Sequence, residues 1–311
     1  MNFFKSDASD FQRSLARFNQ RRLALQFPSF GWADDLRSEF EYRIAEGEFI
    51  ESMREKISSE VPARWASSED FVGWFAALVE CGPGQNHPFF DWLANDATLP
   101  QIRWFLTQEA AGEAGFDDLL AMTQVKLPAQ PKLECARNFW DEMGHGKHAA
   151  MHGEMLARMV REMSLLPSID TTVVEALTLS NMMIGLATSR RYAYHAIGAL
   201  GVIELTAPPR VKKVSMAMRR VGLDGKMRAY FDLHAALDVA HSSAWIKEVI
   251  RPLVDLDPSC AKYIAEGALM RLACGRACFD RYRQVLKSDT AVANVICEQV
   301  PTDEVEQQLC E

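Results

Sequence analysis

The stretch YFDLHAALDVAHSSAW, residues 230–245, carries His234, Asp238 and His241 at spacings of four and three residues. An α-helix turns by about 100° per residue, so these three side chains fall within a stripe roughly 60° wide. Leucine and alanine residues flank the stripe and Trp245 follows it, which predicts that the whole segment is buried. Two imidazoles and a carboxylate on one stripe suit a divalent transition metal, with iron, manganese or zinc favoured over calcium. The alternative is a solvated polar face that carries histidines by chance.

Three glutamates upstream are placed to join this stripe. Glu109 follows an apolar turn, Glu142 lies in NFWDEMGHG, and Glu204 follows the aliphatic GALGVI. A carboxylate among buried residues costs free energy unless something pairs with it, and a metal ion would do so. Glu113, one turn after Glu109, is the second choice for the first position. Carboxylates and histidines from four helices could hold two metal ions, since four carboxylates balance the charge of two ferrous ions.

The sequence leaves open which histidine accompanies Glu142. On a straight helix His145 would meet Glu142, as in a Glu-x-x-His pair. His152 would then be about 15 Å away along the axis. The two glycines of GHG commonly interrupt a helix, and a break there would bring His152 back towards Glu142. His148 is turned away from Glu142 and is expected at the surface.

The order of these segments resembles the heme-oxygenase-like diiron oxidases and oxygenases, and most of all their iron-containing redox enzyme members. The resemblance covers roughly residues 100–255 and rests on NFWDEMGHG, GALGVIELTAPPR and YFDLHAALDVAHSSAW. It implies an all-α, heme-oxygenase-like helical bundle with two ferrous ions. The metal ligands that it implies are Glu109, Glu142, His152, Glu204, His234, Asp238 and His241.

By the same resemblance, the protein is expected to be a non-haem diiron enzyme that activates dioxygen. The substrate would be a small amine, amino acid or fatty acid, and the reaction N-oxygenation, desaturation or carbon–carbon cleavage. A homodimer and an external electron donor are compatible with this function. Tyr194, His195 and Trp140 are candidates for the pocket wall. Arg210 and Lys212 could reach an acidic substrate, although a solvated helix face is the more ordinary interpretation.

Two alternatives give the same fold a different role. A thiaminase-like hydrolase or lyase would use a cysteine, for which Cys135 is the nearest candidate, but it leaves His234 and His241 without a function. A non-catalytic helical scaffold would bury the polar residues in a hydrogen-bonded network. A haem protein needs one proximal histidine and does not explain several converging ligands.

Composition excludes several classes of function. The 311 residues have a formal net charge of −8, and no cluster of Lys or Arg would neutralise a run of phosphates, so no nucleic-acid partner is expected. The sequence contains no run of eighteen uninterrupted apolar residues that could span a membrane. The N-terminus lacks a secretory signal pattern, so we expect a cytoplasmic protein. Seven scattered cysteines do not form a disulfide framework.

Helical periodicity runs through most of the chain, and strands are hard to find. We expect an accessory helical segment at 1–65, the heme-oxygenase-like diiron bundle at 66–290 and a tail at 291–311. The pair Pro208-Pro209 is expected to end one helix. The helices predicted from periodicity lie near 33–46, 68–80, 87–96, 98–123, 132–164, 170–205, 210–221, 225–254 and 258–288.

Overall fold

The computed structural model describes residues 8–28, 30–113 and 115–287, and this part of the chain is all-α, without a strand. The expected tail at 291–311 lies outside the described residues. None of the described helices is both long and apolar enough to cross a membrane. The helices are α1 (Ala8–Leu23), α2 (Trp32–Ile57), α3 (Ser68–Cys81), α4 (Pro88–Asn95), α5 (Leu99–Gly112), α6 (Phe116–Thr123), α7 (Ala129–Glu142), α8 (His152–Glu162), α9 (Val174–Thr188), α10 (Ala193–Arg220), α11 (Gly225–Ala244), α12 (Arg251–Leu256) and α13 (Cys260–Lys287).

Helix α10 is the centre of the bundle, because it contacts α4, α9, α11 and α13. A short turn joins it to α11, which therefore runs back antiparallel beside it. The expectation that Pro208-Pro209 ends this helix is wrong, since α10 continues through both prolines. Each proline lacks the N–H that would bond four residues back, so the carbonyls of Glu204 and Leu205 lose their usual helical partner. The packing of α10 on its neighbours outweighs that loss.

Helices α10 and α13 approach closely at two glycines. A Cβ atom on Gly198 would lie 1.9 Å from the carbonyl oxygen of Ile264, and one on Gly267 would lie 1.9 Å from that of His195. Any larger side chain would force the helices apart. The crossing brings α13 against the part of α10 that precedes Glu204.

Two hydrophobic clusters form the core. One is built around residues such as Phe71, Phe75 and Trp245, and the other around residues such as Phe89 and Phe105. Side chains from both clusters line a cavity of about 180 Å³. The cavity therefore lies between the two halves of the core.

The N-terminal helices pack directly on the bundle, with α1 against α9 and α2 against α9 and α13. The buried amide of Asn19 donates to Asn181 at 2.9 Å across the first of these contacts. In the second helix, buried Glu46 accepts from Arg22 at 2.6 Å. Buried polar groups such as these must be paired, which fixes the position of the N-terminal segment.

Candidate metal centre

The chain breaks between α7 and α8, where the sequence places its two close glycines. Helix α7 ends at Glu142 and α8 begins at His152, with two short 3₁₀ turns between them. Gly144, His145 and Gly146 have φ values of 57°, 52° and 77°, in the left-handed region that glycine tolerates best. The chain folds back on itself so tightly that a Cβ on Gly144 would lie 2.3 Å from the backbone of residue 150.

This break decides which histidine meets Glu142. His152 Nδ1 lies 2.8 Å from Glu142 Oε2, and both residues are buried. His145 is mostly exposed and faces Asp141 instead, with 3.2 Å between its Nε2 and a carboxylate oxygen. His148 is exposed, as expected.

His234 joins Glu142 and His152 to form the first triad. One potential ligand atom from each lies within 4.8 Å of the others, and the imidazoles of His152 and His234 have centroids 4.7 Å apart. His234 Nδ1 bonds to the carbonyl of Tyr230 one turn earlier, at 2.7 Å. That bond fixes the proton on Nδ1 and leaves Nε2 free to bind a metal.

Glu204, Asp238 and His241 form the second triad, again with ligand atoms within 4.8 Å of one another. His241 Nδ1 faces Glu204 Oε2 at 3.5 Å, while its Nε2 bonds to Asp141 at 2.9 Å. Asn138 donates to the other oxygen of Glu204 at 2.8 Å. Asp141 and Asn138 therefore orient the two side chains from behind, as the outer partners of metal ligands commonly do.

The stripe of the sequence pattern is the buried face of α11. Asp238 and His241 are two of the three fully buried residues of this helix. The expectation that the whole segment is buried is wrong, however, because Ala236, Val239 and Ala240 on the opposite face are exposed. Polar residues thus occupy the inner face of an amphipathic helix where apolar ones would ordinarily lie.

Without a metal, Glu142 and Asp238 are held towards their neutral form. Burial, together with the nearby charge of Glu204, raises the pKa of Glu142 to about 9 and that of Asp238 to about 8. Burial also lowers the pKa values of His152 and His234 to about 4, so both imidazoles are neutral at neutral pH. Neutral imidazoles can bind a metal without first losing a proton.

The pKa of His241 is raised, unlike those of His152 and His234. Burial alone would lower its pKa, but the negative charge of Glu204, 3.5 Å from Nδ1, and the hydrogen bond and charge of Asp141 raise it to about 9. In the metal-free protein this imidazolium partly compensates the acidic residues around it.

The donor atoms fit iron. His152 Nδ1 and His241 Nδ1 are buried and lack a hydrogen-bond partner among the described residues, although each points at a carboxylate oxygen. Buried polar atoms without partners are costly, and a cation between nitrogen and oxygen would satisfy both. Two histidines with one carboxylate, as in the first triad, is a set that non-haem ferrous oxygenases use.

The cavity between the two core clusters opens onto this centre. Glu142, Glu204, His234 and Asp238 are part of its wall. It is otherwise lined mainly by apolar side chains such as Ile203 and Phe231, with a few charged groups. A small molecule in the cavity would lie directly against the triads.

Glu109 lines the same cavity but belongs to neither triad. Burial raises its pKa, while Tyr282 and two arginines favour its charged form. Glu113, at the end of α5, also lines the cavity, and its charge acts on Glu142, whereas Glu109 is not among the main charges there. The choice of Glu109 as the remaining ligand stays a prediction, with Glu113 as its competitor.

The three aromatic candidates for the pocket wall do not line the cavity, so this prediction is wrong. Tyr194 is 37% exposed and Trp140 is 52% exposed. His195 is buried but bonds to Glu266 at 2.9 Å, away from the cavity. Lys212 is exposed, so only Arg210 of the two basic candidates lines the cavity.

Sequence reasoning missed Asn138 and Asp141. Asn138 lies one turn before Glu142 and so shares its helix face, which was a usable signal. Asp141 is adjacent to Glu142 and so points in a different direction, and only the position of α11 shows that it reaches His241.

The comparisons with known proteins agree with this architecture. A CADD-like protein of unknown function from Nostoc punctiforme PCC 73102 has a similar crystal structure, with a TM-score of 0.53 and 17% identity over 70% of this chain and 98% of that one. At this identity the likeness concerns the fold alone. No curated protein matches the chain. The family described as iron-containing redox enzymes matches residues 103–276, more than half of the chain and the part that holds both triads. The prediction of an all-α, heme-oxygenase-like bundle is thus confirmed, and the chain belongs to the family of iron-containing redox enzymes.

Proposed function

We propose that the protein is a non-haem diiron oxidase or oxygenase that uses dioxygen to oxidise a small organic molecule. The observation that carries this proposal is the pair of adjacent triads at the wall of one cavity. Each triad has a buried histidine nitrogen that lacks a hydrogen-bond partner among the described residues. Family membership supports iron as the metal.

Each triad would hold one iron ion. Glu142, His152 and His234 would bind the first, and Glu204, Asp238 and His241 the second. The two triads are close enough for the charge of Glu204 to act on Glu142. Ferrous iron at such a centre supplies the electrons that reduce dioxygen.

The surrounding residues would hold the metal-ligand side chains in place and exclude bulk water from the substrate. Asp141 would fix the His241 ring through Nε2, and the Tyr230 carbonyl would fix the His234 ring through Nδ1. Asn138 would hold one oxygen of Glu204 and leave the other for the metal. The apolar wall would exclude bulk water from the reacting groups.

A thiaminase-like reaction has little support. Cys135 is fully buried, and burial raises the pKa of its thiol to about 12, so the thiolate nucleophile would be scarce at neutral pH. In the described part of the chain, Cys135 is also not one of the residues that line the cavity. The cysteine therefore packs as an apolar residue.

The test is to load the protein with ferrous iron without oxygen, count the bound iron, and then mix it with dioxygen in a stopped-flow spectrophotometer. We expect about two iron ions per chain and a transient absorbance that depends on oxygen. His152→Ala should abolish the transient, whereas the matched control His148→Ala, at an exposed position nearby, should keep it. A protein that binds no iron, or iron that does not react with oxygen, would contradict the proposal.

A further inference from the structure

Two arginines line the cavity without a carboxylate partner. Arg210 lies on α10 and Arg271 on α13, and neither guanidinium has a carboxylate oxygen within 4.0 Å among the described residues. Nε of Arg271 is buried and has no hydrogen-bond partner there. The nearest polar contact of Arg210 is a long one, 3.5 Å to the side-chain oxygen of Gln85.

Two other inward-facing arginines are paired with buried carboxylates. Arg22 lies 2.6 Å from Glu46, and Arg54 lies 2.7 Å from Glu266. Arg210 and Arg271 are partly buried. A poorly solvated charge without a partner is costly, and two like charges that face one cavity add mutual repulsion. The stability of the protein with an empty cavity therefore does not explain why Arg210 and Arg271 lie there.

The backbone makes room for these two groups. A Cβ on Gly275 would lie 2.9 Å from Nη1 of Arg271, so the glycine one turn further along α13 leaves space for the guanidinium. The guanidinium of Arg210 lies over the Phe279 ring, 5.5 Å from its centroid. That stacking orients Arg210 while its donors stay available.

Charge in this region supports an anion. Burial, and the repulsion from Arg271, lower the pKa of Arg210 to about 9, although the charge of Glu109 acts in the opposite direction. Glu109 and Glu113 both line the cavity, but neither lies within 4.0 Å of either guanidinium group. A bound carboxylate would give the two guanidinium groups the direct partner that the described residues do not provide.

We propose that Arg210 and Arg271 bind the carboxylate of the substrate, which is a small carboxylic acid with an apolar chain. A guanidinium presents two parallel N–H groups that match the two oxygens of a carboxylate. This inference rests on the proposed function, because the bound acid is the substrate only if the triads hold iron. The binding itself depends only on the protein.

The position of Arg210 sets the orientation of the acid. Glu204, Ala207 and Arg210 line the cavity from one face of α10, and Arg210 lies six residues beyond Glu204. Six residues rise by about 9 Å along a helix, so the carboxylate is held away from the triads. The chain of the acid then extends towards the metal centre past apolar side chains such as Ala207 and Ile203.

The size of the cavity and the charged groups in its wall narrow the class of substrate further. A cavity volume of about 180 Å³ suits a short acid. Glu109 and Glu113 line the same cavity, and acidic groups at these positions disfavour a phosphate dianion more than a carboxylate monoanion.

The first test uses ligands and the metal-free, full-length parent protein, so that iron cannot provide the binding. Calorimetric titration compares linear acids from butanoate to octanoate with 1-hexanol, hexylamine and inorganic phosphate. We expect at least one acid to bind about tenfold or more tightly than the alcohol, the amine and phosphate. No binding by any of the acids, or tighter binding by hexanol or phosphate, would overturn the inference.

The second test uses variants. Arg210→Met and Arg271→Met should each weaken binding of the best acid by about tenfold or more and leave hexanol affinity nearly unchanged. Arg283→Met, on the exposed face of α13, and Lys212→Met, on the exposed face of α10, are the matched controls and should bind the acid like the parent. Equal losses of acid affinity in the controls and in the cavity variants would overturn the assignment of the two arginines. If a variant fails to fold, the comparison of ligands on the parent protein tests the inference instead.

Iron loading and the oxygen transient are measured separately on the same proteins. Acid binding without iron or oxygen chemistry would refute the proposed function and leave a carboxylate site. Oxygen chemistry without acid binding would support the proposed function and refute the carboxylate site.

Discussion

Loading the protein with metal should release protons from the ligands. At pH 7 the metal-free protein holds a proton on Glu142, whose pKa is about 9, and on Asp238, whose pKa is about 8. His241 also holds one, since its pKa is about 9. A metal ion binds only the deprotonated forms, so it must displace them.

The expected size follows from this count. His152 and His234, with pKa values of about 4, are already neutral at pH 7 and release nothing. Filling both triads should therefore release about three protons per chain, one from the first triad and two from the second. By linkage, the product of the two metal-binding constants should rise about 1000-fold per pH unit near pH 7.

Calorimetric titration with ferrous iron under anaerobic conditions measures the release directly. The heat is compared in two buffers with different enthalpies of ionisation, and the difference gives the protons per bound metal. Glu142→Gln removes one of the protons and should lower the count to about two. Glu134→Gln, on the same helix but outside the triads, is the matched control and should keep the count of the parent.

Release of less than one proton per chain would refute the reasoning. It would mean that Glu142 and Asp238 are already ionised in the metal-free protein, so that burial does not hold them neutral. An equal loss of protons in Glu134→Gln would mean that the release comes from elsewhere in the protein.

Four further results are expected. Asp238→Ala should lower iron content from about two to below one per chain, while circular dichroism shows almost unchanged helix content; full iron loading would reject its place in the second triad. Iron should raise the melting temperature of the parent, and Glu204→Gln should lose most of that gain; an equal gain would make Glu204 a core residue only. Asp141→Asn should weaken iron binding by about 10- to 100-fold in a competition titration with a chelator, and an unchanged affinity would show that Asp141 does not orient His241. The melting temperature of the metal-free protein should fall from pH 7 to pH 9, because groups whose pKa values are raised by folding stabilise it only while protonated; a rise over that range would contradict the raised values.

The sequence by itself determined the fold class, the family and the candidate stripe. Helical periodicity is local, so spacings of four and three residues suffice to bring His234, Asp238 and His241 to one face of α11. The interruption between Glu142 and His152 was also predictable, because glycine's freedom at positive φ is a property of the residue itself.

Tertiary structure decided everything that depends on a partner from another helix. Only the fold-back after α7 shows that His152 faces Glu142, and only the packing of α11 shows that Asp141 supports His241. The crossing of α10 and α13 brings Arg210 and Arg271 into one cavity from positions 61 residues apart in the sequence. The same packing carries α10 through its two prolines. These outcomes depend on how helices pack, and packing sums many weak contacts across the whole chain that no single segment of the sequence contains.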